Sequence, residues 1–518
     1  MANTSQNGPT YTKDGLTYTK VSREYFEKRG LKRFAGPWSL WALGVGAVIS
    51  GDFFGWNFGL AAGGFGGLLI ATCVIAVLYI CLCYCIAEMS PALPHTGGAY
   101  SFGRTTMGPW GGFITGLAEN MEYVLTPAVI VVGIGGYLGA ICNDLFGLQL
   151  PAPAWWAISY GIFVGLNILG VEATFKFTVV ITFLALGILA VFWIGALPHF
   201  SADLLFTVKP GEGGTRFLPH GIGGIFAGLP FAIWFYLAIE QLPLAAEESH
   251  DPKRDMPRGL LWGIATLVVA SFLTLFLSAG IPPGAAVLGT SDEPLLLGFQ
   301  TIFGEGAGAS LLALVAVAGL IASFHAIIYA YGRNIYSLGR AGYFPKWLSV
   351  THGSRKTPHV ALIVGAVLGF LAALVIHYGK QWFSKVPVGA VLLNMAVFGA
   401  VIAYIMQALS FIILRRRMPD LPRPYVSPLG VVGAWGALSL SAITLVSLFL
   451  NEEYRLGVYG CAVWFLGGLI YFAVYARHRM VLSPEEEFAL EHEAQMAAAA
   501  RARETSPDAA ASTPETQP

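Results

Sequence analysis

The chain has 518 residues, of which 55% are hydrophobic, and its 30 basic and 30 acidic side chains give a formal net charge of zero. Only 12% of the residues are charged, about half the proportion in soluble domains, which excludes an ordinary soluble protein of this length. The balanced charge gives no reason to expect nucleic acid as a partner. The composition therefore predicts an integral membrane protein with many spans.

Apolar runs long enough to cross a bilayer as helices recur along the whole chain. Alternating barrel patterning is absent. The first 35 residues are polar, and we expect no signal peptide. Twelve membrane-spanning helices are predicted, at residues 36–62, 65–90, 108–141, 151–170, 175–197, 221–246, 259–281, 307–338, 359–377, 388–414, 429–450 and 457–476.

Lys and Arg are distributed unevenly between the two predicted sides. With the N-terminus inside, 25 of the 30 basic residues lie in inner segments, which by the positive-inside rule places both termini in the cytoplasm. The expected location is the plasma membrane, and specifically a bacterial inner membrane. Beyond residue 482 a helix is predicted to begin at Ser483, and disorder is expected after Arg503. We interpret this tail as a solvated appendage, with regulation of the protein by the tail as the alternative.

Two predicted spans are interrupted. The first carries Ser50-Gly51-Asp52 within "VISGDFFGWNFGL", and the sixth carries Pro230, the polar pair Glu240-Gln241 and Pro243. Interrupted helices five spans apart are typical of inverted-repeat transporters, which bind substrate where the two breaks meet. The predicted organisation is an N-terminal segment 1–35, a first repeat 36–200, a second repeat 221–414, two additional helices within 429–476, and a tail 477–518.

The predicted third helix contains two acids in "GLAENMEYVLTPAV". Glu119 and Glu122 are three residues apart and Tyr123 is four from Glu119, so the three share a helix face. A charge at membrane depth costs roughly 3 kcal/mol, and such acids usually face a pathway or a partner. A salt bridge is the alternative interpretation, although no span holds an obvious Lys or Arg at that depth. With Asp52 and Glu240, four acids are predicted at membrane depth.

The stretch "AEMSPALPHTGGAYSFGRTTMGPWGGFITG" resembles the signature of the amino acid–polyamine–organocation (APC) permeases, as do "AAEESHDPKRDMPRG", "GRNIYSLGRAGYFPKWL" and "LPRPYVSPLG". The resemblance covers roughly residues 36–476. It implies an all-α fold of twelve helices, with a 5+5 inverted repeat and discontinuous first and sixth helices. It also implies a cytoplasmic gate or scaffold formed by Glu88, Gly97, Gly98, Arg104, Glu247, Glu248, Arg254 and Arg340.

Within that family the first helix usually breaks at Gly-x-Gly, whose backbone N–H groups receive a substrate carboxylate. Alignment of "VISGDFFG" places Ser50 and Asp52 at those glycines, and a carboxylate there would repel a substrate carboxylate. Together, "ISGDFFGWN" and "AENMEY" resemble the ethanolamine permease subgroup. The resemblance implies a substrate site formed by Ser50, Gly51, Asp52, Phe53, Glu119, Glu122, Tyr123, Trp234, Tyr236, Ala238, Glu240 and Gln241.

The coupling ion is left open by the sequence. Many proton-coupled relatives have a Lys in the fifth helix, where alignment places Ala185. The candidates for a proton site are Asp52, Glu119, Glu122, Glu240 and His325. A lone His such as His325 is more often a packing or hydrogen-bonding residue.

The predicted function is secondary transport of ethanolamine or a closely related small amine by alternating access, with a co-transported proton. An amino-acid or polyamine permease of the same fold is the first alternative, and an amine sensor that binds without transporting is the second. The six cysteines lie in or beside apolar spans and are interpreted as packing residues. No cofactor, metal site or enzymatic motif is predicted, and the expected partners are the amine substrate, a proton and membrane lipid.

Overall fold

A computed structural model describes residues 9–13, 15–291, 293–304, 307–382, 388–450, 452–484, 486–488, 490–491, 494 and 498. The α-helices are α1 (Arg23–Glu27), α2 (Pro37–Val48), α3 (Ser50–Phe53), α4 (Phe58–Ala92), α5 (Ala99–Phe146), α6 (Ala152–Leu169), α7 (Val171–Ala196), α8 (Gly221–Ala232), α9 (Pro252–Ala279), α10 (Ala285–Leu288), α11 (Pro294–Phe303), α12 (Ala307–Ala341), α13 (His359–Trp382), α14 (Val388–Arg417), α15 (Gly430–Leu450) and α16 (Glu452–Val474).

Shorter elements connect these helices and cover one end of the bundle. The 3₁₀ helices are Leu197–His199, Ala202–Phe206, Ile233–Phe235, Ile239–Glu248, Lys346–Ser349 and Ala476–His478. The strands are β1 (Thr10–Lys13), β2 (Leu16–Thr19) and β3 (Met480–Val481). They form one sheet in the order β1-β2-β3, with β1 antiparallel and β3 parallel to β2.

Within the described residues, ten helical segments are long and apolar enough to cross a membrane. The predicted first span is not among them because it is divided between α2, α3 and the start of α4. The predicted eighth span corresponds to α12, which is continuous but is not among the ten. The protein is therefore an all-α multi-pass membrane protein, and the count of twelve and the inverted repeat stay predictions.

The first span is divided at Ile49, which keeps a helical backbone, and leaves the helical path after Phe53. α2 begins at Pro37, where the missing N–H of proline costs nothing, and ends at Val48. Residues Ser50–Phe53 then form a single helical turn, Phe54 is extended, and Gly55 has a φ of 95°. The prediction that the break falls on Ser50-Gly51-Asp52 is therefore wrong by about one turn, because those residues are helical and the extended backbone follows them.

The sixth predicted span is interrupted where α8 gives way to 3₁₀ helix. After Ile233–Phe235 the backbone turns at Ala238, whose φ of 82° is uncommon for a residue with a side chain. The segment Ile239–Glu248 then continues as 3₁₀ helix through Pro243, which has no N–H to donate. The polar pair Glu240-Gln241 thus lies immediately after the interruption.

The two interrupted segments touch directly. A Cβ built on Gly51 would lie 1.8 Å from the carbonyl oxygen of Trp234, so only glycine fits at this crossing. The Ser50 amide donates to Ser323 Oγ of α12 at 2.9 Å, and that hydroxyl donates to the Gly46 carbonyl at 2.9 Å. α12 therefore supports the turn that carries Asp52.

The long helix α5 is bent back on itself at Gly108, which has a φ of 75°. The arm before this bend, Ala99 to residue 107, packs against the start of the arm after it. The approach is close at Gly103, where an added Cβ would lie 2.6 Å from Thr115 Oγ1. We call this first arm the folded-back arm of α5.

The two ends of the chain pack together on the bundle. The register of the β2–β3 pair joins Tyr18 to Met480 and Thr19 to Val481. An apolar cluster under this sheet includes Tyr18, Met480, Tyr343 and Phe472. Beyond residue 482 the expectation of a solvated tail is wrong for Ser483 and Glu486, which are buried. The described residues Pro484, Glu487, Glu491, Ala494 and Ala498 are exposed, as expected of a solvated segment. The predicted disorder after Arg503 lies outside the described residues.

Candidate functional site

Asp52 is buried at the end of the first broken helix. Its side chain is 1% exposed, and neither carboxylate oxygen accepts a hydrogen bond of ordinary geometry from the described residues. Its polar neighbours are Thr274 of α9 and Tyr236 of the sixth-span break, whose hydroxyl lies 2.7 Å from Ser271 Oγ. A buried carboxylate without a partner is costly, which makes this position suited to a cationic group of a ligand.

The three glutamates form a second acid group on α5 and the sixth-span segment. Glu119 accepts hydrogen bonds from Tyr123 Oη and Asn334 Nδ2, each at 3.3 Å. Glu122 faces Glu240, and neither Glu122 oxygen accepts a hydrogen bond of ordinary geometry within the described chain. Glu240 accepts from Tyr404 Oη at 3.2 Å. The shared face predicted for Glu119 and Tyr123 is confirmed by the bond between them.

A row of tyrosines connects the Asp52 side of the site to the glutamates. The rings of Tyr236 and Tyr79 are 5.3 Å apart, and the Tyr79 and Tyr404 hydroxyls are 2.6 Å apart. Tyr404 then donates to Glu240. The acids are therefore in two groups, Asp52 toward α9 and the glutamates toward α14. Sequence reasoning missed Tyr79 and Tyr404, since a tyrosine in an apolar span is ordinary and gives no signal.

Aromatic side chains fill the space around the break in the first span. Phe53 packs on Gly319, where an added Cβ would come within 2.4 Å of its ring. Trp56 stacks on Phe235 with ring centroids 5.3 Å apart, and Phe54 lies 6.3 Å from Trp234. The structure thus places Trp234 at the crossing with Gly51 and places Phe53 against α12.

Asn57 fixes the break and was not predicted. Its amide donates to the carbonyls of Leu288 and Ser291, both at 2.8 Å, and its Oδ1 accepts from the Gly55 amide at 3.1 Å. These bonds join the unwound backbone to the loop around α10. An asparagine after a glycine in a disrupted helix is the signal that could have found it.

Gln241 and His325 have different surroundings. Both Gln241 side-chain heteroatoms are buried without a hydrogen-bond partner among the described residues, so this amide is available to a ligand. His325 Nδ1 lies 3.2 Å from Asn167 Nδ2, and Nε2 lies 3.4 Å from the Thr174 carbonyl. Both ring nitrogens are thus engaged with α6 and α7 rather than with the acids, which fits a packing role for His325.

Two ion pairs include residues of the predicted cytoplasmic gate, and we call them the gate pairs after that prediction. Arg333, Glu248 and Arg340 are buried, and Glu247 is 22% exposed. Arg340 makes a bidentate bond with Glu247, with distances of 2.6 and 2.9 Å. Arg333 Nη2 lies 2.9 Å from Glu248 Oε1, both side chains are fully buried, and Tyr329 also donates to Glu248. The gate pairs tie the sixth-span segment to α12. Arg333 is a member that sequence reasoning did not single out.

Glu88 holds a separate cluster at the end of α4. It pairs with Arg415 at 2.6 Å and Arg423 at 3.1 Å, and it accepts from the Ser427 amide at 2.8 Å. It therefore joins α4 to the end of α14 and to the segment leading into α15. This arrangement is that of a scaffold.

The remaining predicted gate residues differ in their surroundings. Gly98, with a φ of 52°, begins the folded-back arm, and a Cβ on Gly97 would lie 2.6 Å from the Tyr100 ring. Arg104 is buried and pairs with Glu486 of the tail at 2.6 Å. Arg254 is 77% exposed and forms a 3.9 Å pair with Asp251 of its own turn, so the structure does not bring it to the gate pairs.

Similarity to known proteins covers most of the chain. Residues 36–473 match the family model described as "Amino acid permease". This chain belongs to the amino acid permease family. Family membership identifies it as a membrane transporter rather than an enzyme, in agreement with the apolar helices and the two broken spans.

Individual relatives are distant but nearly full length. An uncharacterized transporter of Rhizobium meliloti is 28% identical, covering 84% of this chain and 92% of the relative. The branched-chain amino acid permease BcaP of Bacillus subtilis is 28% identical, covering 88% and 96%. The methylthioribose transporter of the same organism is 24% identical, covering 88% and 96%. Of these three names, one specifies amino acids and none specifies ethanolamine.

Proposed function

We propose that this permease is a secondary transporter of small molecules that carry an ammonium group, and that amino acids are its first candidate substrates. The observation that carries the proposal is Asp52, a buried carboxylate without a cationic partner among the described residues, next to the contact between Gly51 and Trp234. A substrate ammonium would satisfy this carboxylate, and every amino acid carries one. The relatedness to amino acid permeases supports the same substrate class.

Ethanolamine is the second candidate, favoured by the charge of the site. The four acids Asp52, Glu119, Glu122 and Glu240 are all buried, and the buried guanidinium groups of Arg333 and Arg340 on α12 are engaged in the gate pairs. A substrate with an ammonium and no carboxylate fits that acidic surrounding without repulsion. Asp52 occupies the position at which the family signature has a glycine, which favours the same interpretation.

The two candidates are separated by uptake into proteoliposomes. Labelled leucine and labelled ethanolamine are supplied in parallel, with alanine, arginine and choline as unlabelled competitors. Leucine uptake blocked by alanine supports the amino acid permease, whereas ethanolamine uptake blocked only by small amines supports the second candidate. Saturable binding of either compound without time-dependent accumulation would identify a sensor and overturn the transport proposal.

The role of Asp52 is tested by Asp52→Asn. A charge-assisted hydrogen bond contributes about 1.5–3 kcal/mol, so we expect a loss of roughly ten- to a hundred-fold in kcat/KM for the transported ammonium compound. Glu172→Gln is the matched control, because Glu172 is exposed and pairs only within its own helix. Unchanged kcat/KM in Asp52→Asn would show that Asp52 does not bind the substrate.

We further propose that the Glu122–Glu240 pair holds the co-transported proton. Two ionised carboxylates facing each other repel, so such a pair is suited to share one proton. Tyr404 hydrogen-bonds Glu240 and Tyr79, which extends the network toward Tyr236 and the Asp52 side. We expect Glu240→Gln to abolish accumulation driven by a proton gradient while leaving exchange of labelled for unlabelled substrate. Retained gradient-driven accumulation would assign the proton elsewhere.

A further inference from the structure

Two surface grooves lie on either side of Trp262 on α9 and share Arg258. The first has a volume of about 470 Å³ and reaches Pro37 and Trp41 at the start of α2. The second has a volume of about 330 Å³ and reaches Tyr425, in the segment before α15. Neither groove contributes to the acidic site.

Aromatic side chains line both grooves, and the second is also lined by Pro257, Leu261, Pro424 and the basic residues Lys253 and Arg254. Trp38 is 68% exposed and Trp262 is 70% exposed, although both are large apolar side chains. Trp41 is held in place by its Nε1 bond to Thr266 Oγ1 at 3.1 Å. Exposed tryptophans of this kind are typical of the boundary between lipid tails and headgroups.

The rim of the grooves is basic. Lys253, Arg254 and Arg258 are exposed along the first two turns of α9. Arg258 forms no hydrogen bond or ion pair with a described residue, and Asp251, 3.9 Å from Arg254, is the acid paired with this rim. Basic clusters beside membrane helices on the inner side attract anionic headgroups, and this turn lies on the predicted inner side.

We propose that one anionic phospholipid binds here, with its phosphate on Arg258 and its two acyl chains in the grooves flanking Trp262. The basic rim supplies the charge complement, the tryptophans supply the apolar walls, and the pair of grooves matches the two chains. Because Pro37 and Trp38 belong to α2, the bound lipid contacts the helix that carries the Asp52 turn.

The test measures the thermal stability of the purified full-length protein in detergent with added phosphatidylglycerol or phosphatidylcholine. We expect stabilisation by phosphatidylglycerol at lower concentration, and a loss of about five-fold in its apparent affinity in Arg258→Gln, the effect of one charge near a membrane surface. Arg416→Gln is the control, since Arg416 is exposed outside both grooves. In a separate sample, inorganic phosphate is added without lipid, to test whether an anion alone stabilises the protein.

Three results would overturn the lipid site. They are equal stabilisation by both lipids, the same affinity in Arg258→Gln as in wild type, or full stabilisation by inorganic phosphate alone, which would indicate an anion site without lipid. Trp262→Leu is a second variant. It is expected to lower the apparent affinity for both phosphatidylglycerol and phosphatidylcholine, because the smaller side chain shortens the apolar wall of the grooves. None of these results depends on which substrate is transported.

A second inference rests on a different observation, a tail carboxylate buried among residues far away in sequence. Glu486 Oε2 lies 2.6 Å from Arg104 Nε, and Glu486 Oε1 accepts from Tyr343 Oη at 2.8 Å. Tyr18 Oη, on β2, donates to the same carboxylate at 3.3 Å. Burial and the Glu486 charge raise the pKa of the Tyr18 and Tyr343 phenols above the usual range, so both remain donors.

The buried pair is connected to the gate pairs through the folded-back arm of α5. Arg104 lies on that arm, and Thr96, just before it, donates its amide to Glu247 Oε1 at 3.1 Å. Glu247 is the partner of Arg340. The tail therefore holds the folded-back arm, and Thr96, three residues before that arm, bonds to a gate pair.

We infer that the tail strand β3 and Glu486 form a latch that keeps this side of the transporter closed. Opening the gate pairs requires the folded-back arm to move, and movement of Arg104 away from Glu486 would leave two buried charges without partners. The latch must therefore release before the arm can move. This inference goes beyond the proposed function.

Hydrogen exchange of the full-length protein tests the latch without any substrate. In Glu486→Gln we expect exchange at least ten-fold faster not only in β2 but also in the folded-back arm and in Ile239–Glu248, while α8 is unchanged. Glu24→Gln, which breaks an exposed pair with Lys28, is the control and leaves all of these segments unchanged.

A chain ending after Arg479 is the second variant, because it removes the strand and the carboxylate together. It is expected to speed exchange in the same segments. Faster exchange confined to β2 would show a local clamp and overturn the latch, as would unchanged exchange in the arm in both variants.

Discussion

Removing one partner of the Glu248–Arg333 pair is expected to destabilise the protein strongly. Both side chains are fully buried, their charged atoms are 2.9 Å apart, and the Arg333 guanidinium lies 3.7 Å from the centre of the Tyr329 ring. In Arg333→Met the Glu248 carboxylate keeps the Tyr329 hydroxyl but loses its counter-charge. In Glu248→Gln the Arg333 guanidinium loses its negatively charged partner.

An unpaired buried charge costs about 3–5 kcal/mol, and we expect a loss of that size in each single variant. Apolar or neutral replacement of both partners of a buried pair is often close to neutral. The double variant Glu248→Gln/Arg333→Met should therefore recover most of the loss. The expected coupling free energy between the two positions is then several kcal/mol.

The free energy of unfolding in mixed micelles, measured for wild type, both single variants and the double variant, gives this coupling directly. Lys176→Met is the control, since Lys176 pairs with Glu172 in an exposed position, and it should leave stability unchanged. Additive losses in the double variant would refute the reasoning, because they would show that each charge interacts with other groups rather than with its partner.

Three further outcomes are expected. Gly51→Ala places a methyl group 1.8 Å from the Trp234 carbonyl, so thermal stability and uptake should both fall, whereas Gly161→Ala, with open space around it, should change neither. Tyr404→Phe removes a hydrogen bond of the proposed proton pair, so gradient-driven accumulation should fall several-fold in proteoliposomes while the melting temperature changes little; an unchanged coupling ratio would contradict this. Glu88→Gln weakens two ion pairs and should cost about 2–4 kcal/mol in the unfolding free energy, and an unaltered value would show that the cluster is not structural.

The membrane helices follow from the sequence with little ambiguity. The predicted span 151–170 corresponds to Ala152–Leu169 and the predicted span 429–450 to Gly430–Leu450. A bilayer demands about 20 apolar residues with their backbone groups bonded internally, so apolar length alone fixes these elements. The interruptions in the first and sixth spans are also visible, because glycine, proline and buried acids stand where an unbroken helix would not carry them.

Pairing between distant residues was decided by tertiary structure alone. Glu486 looks like one acid among several in a polar tail, yet it lies buried against Arg104, which stands 382 positions earlier. The four membrane-depth acids likewise look equivalent in sequence, but helix packing turns Asp52 toward α9 and joins Glu122 to Glu240. Local sequence determines which helices form and which spans are interrupted, since those are short-range properties of the backbone, but it did not give the turn at which the first span breaks. The partner of each buried charge depends on which helix faces meet.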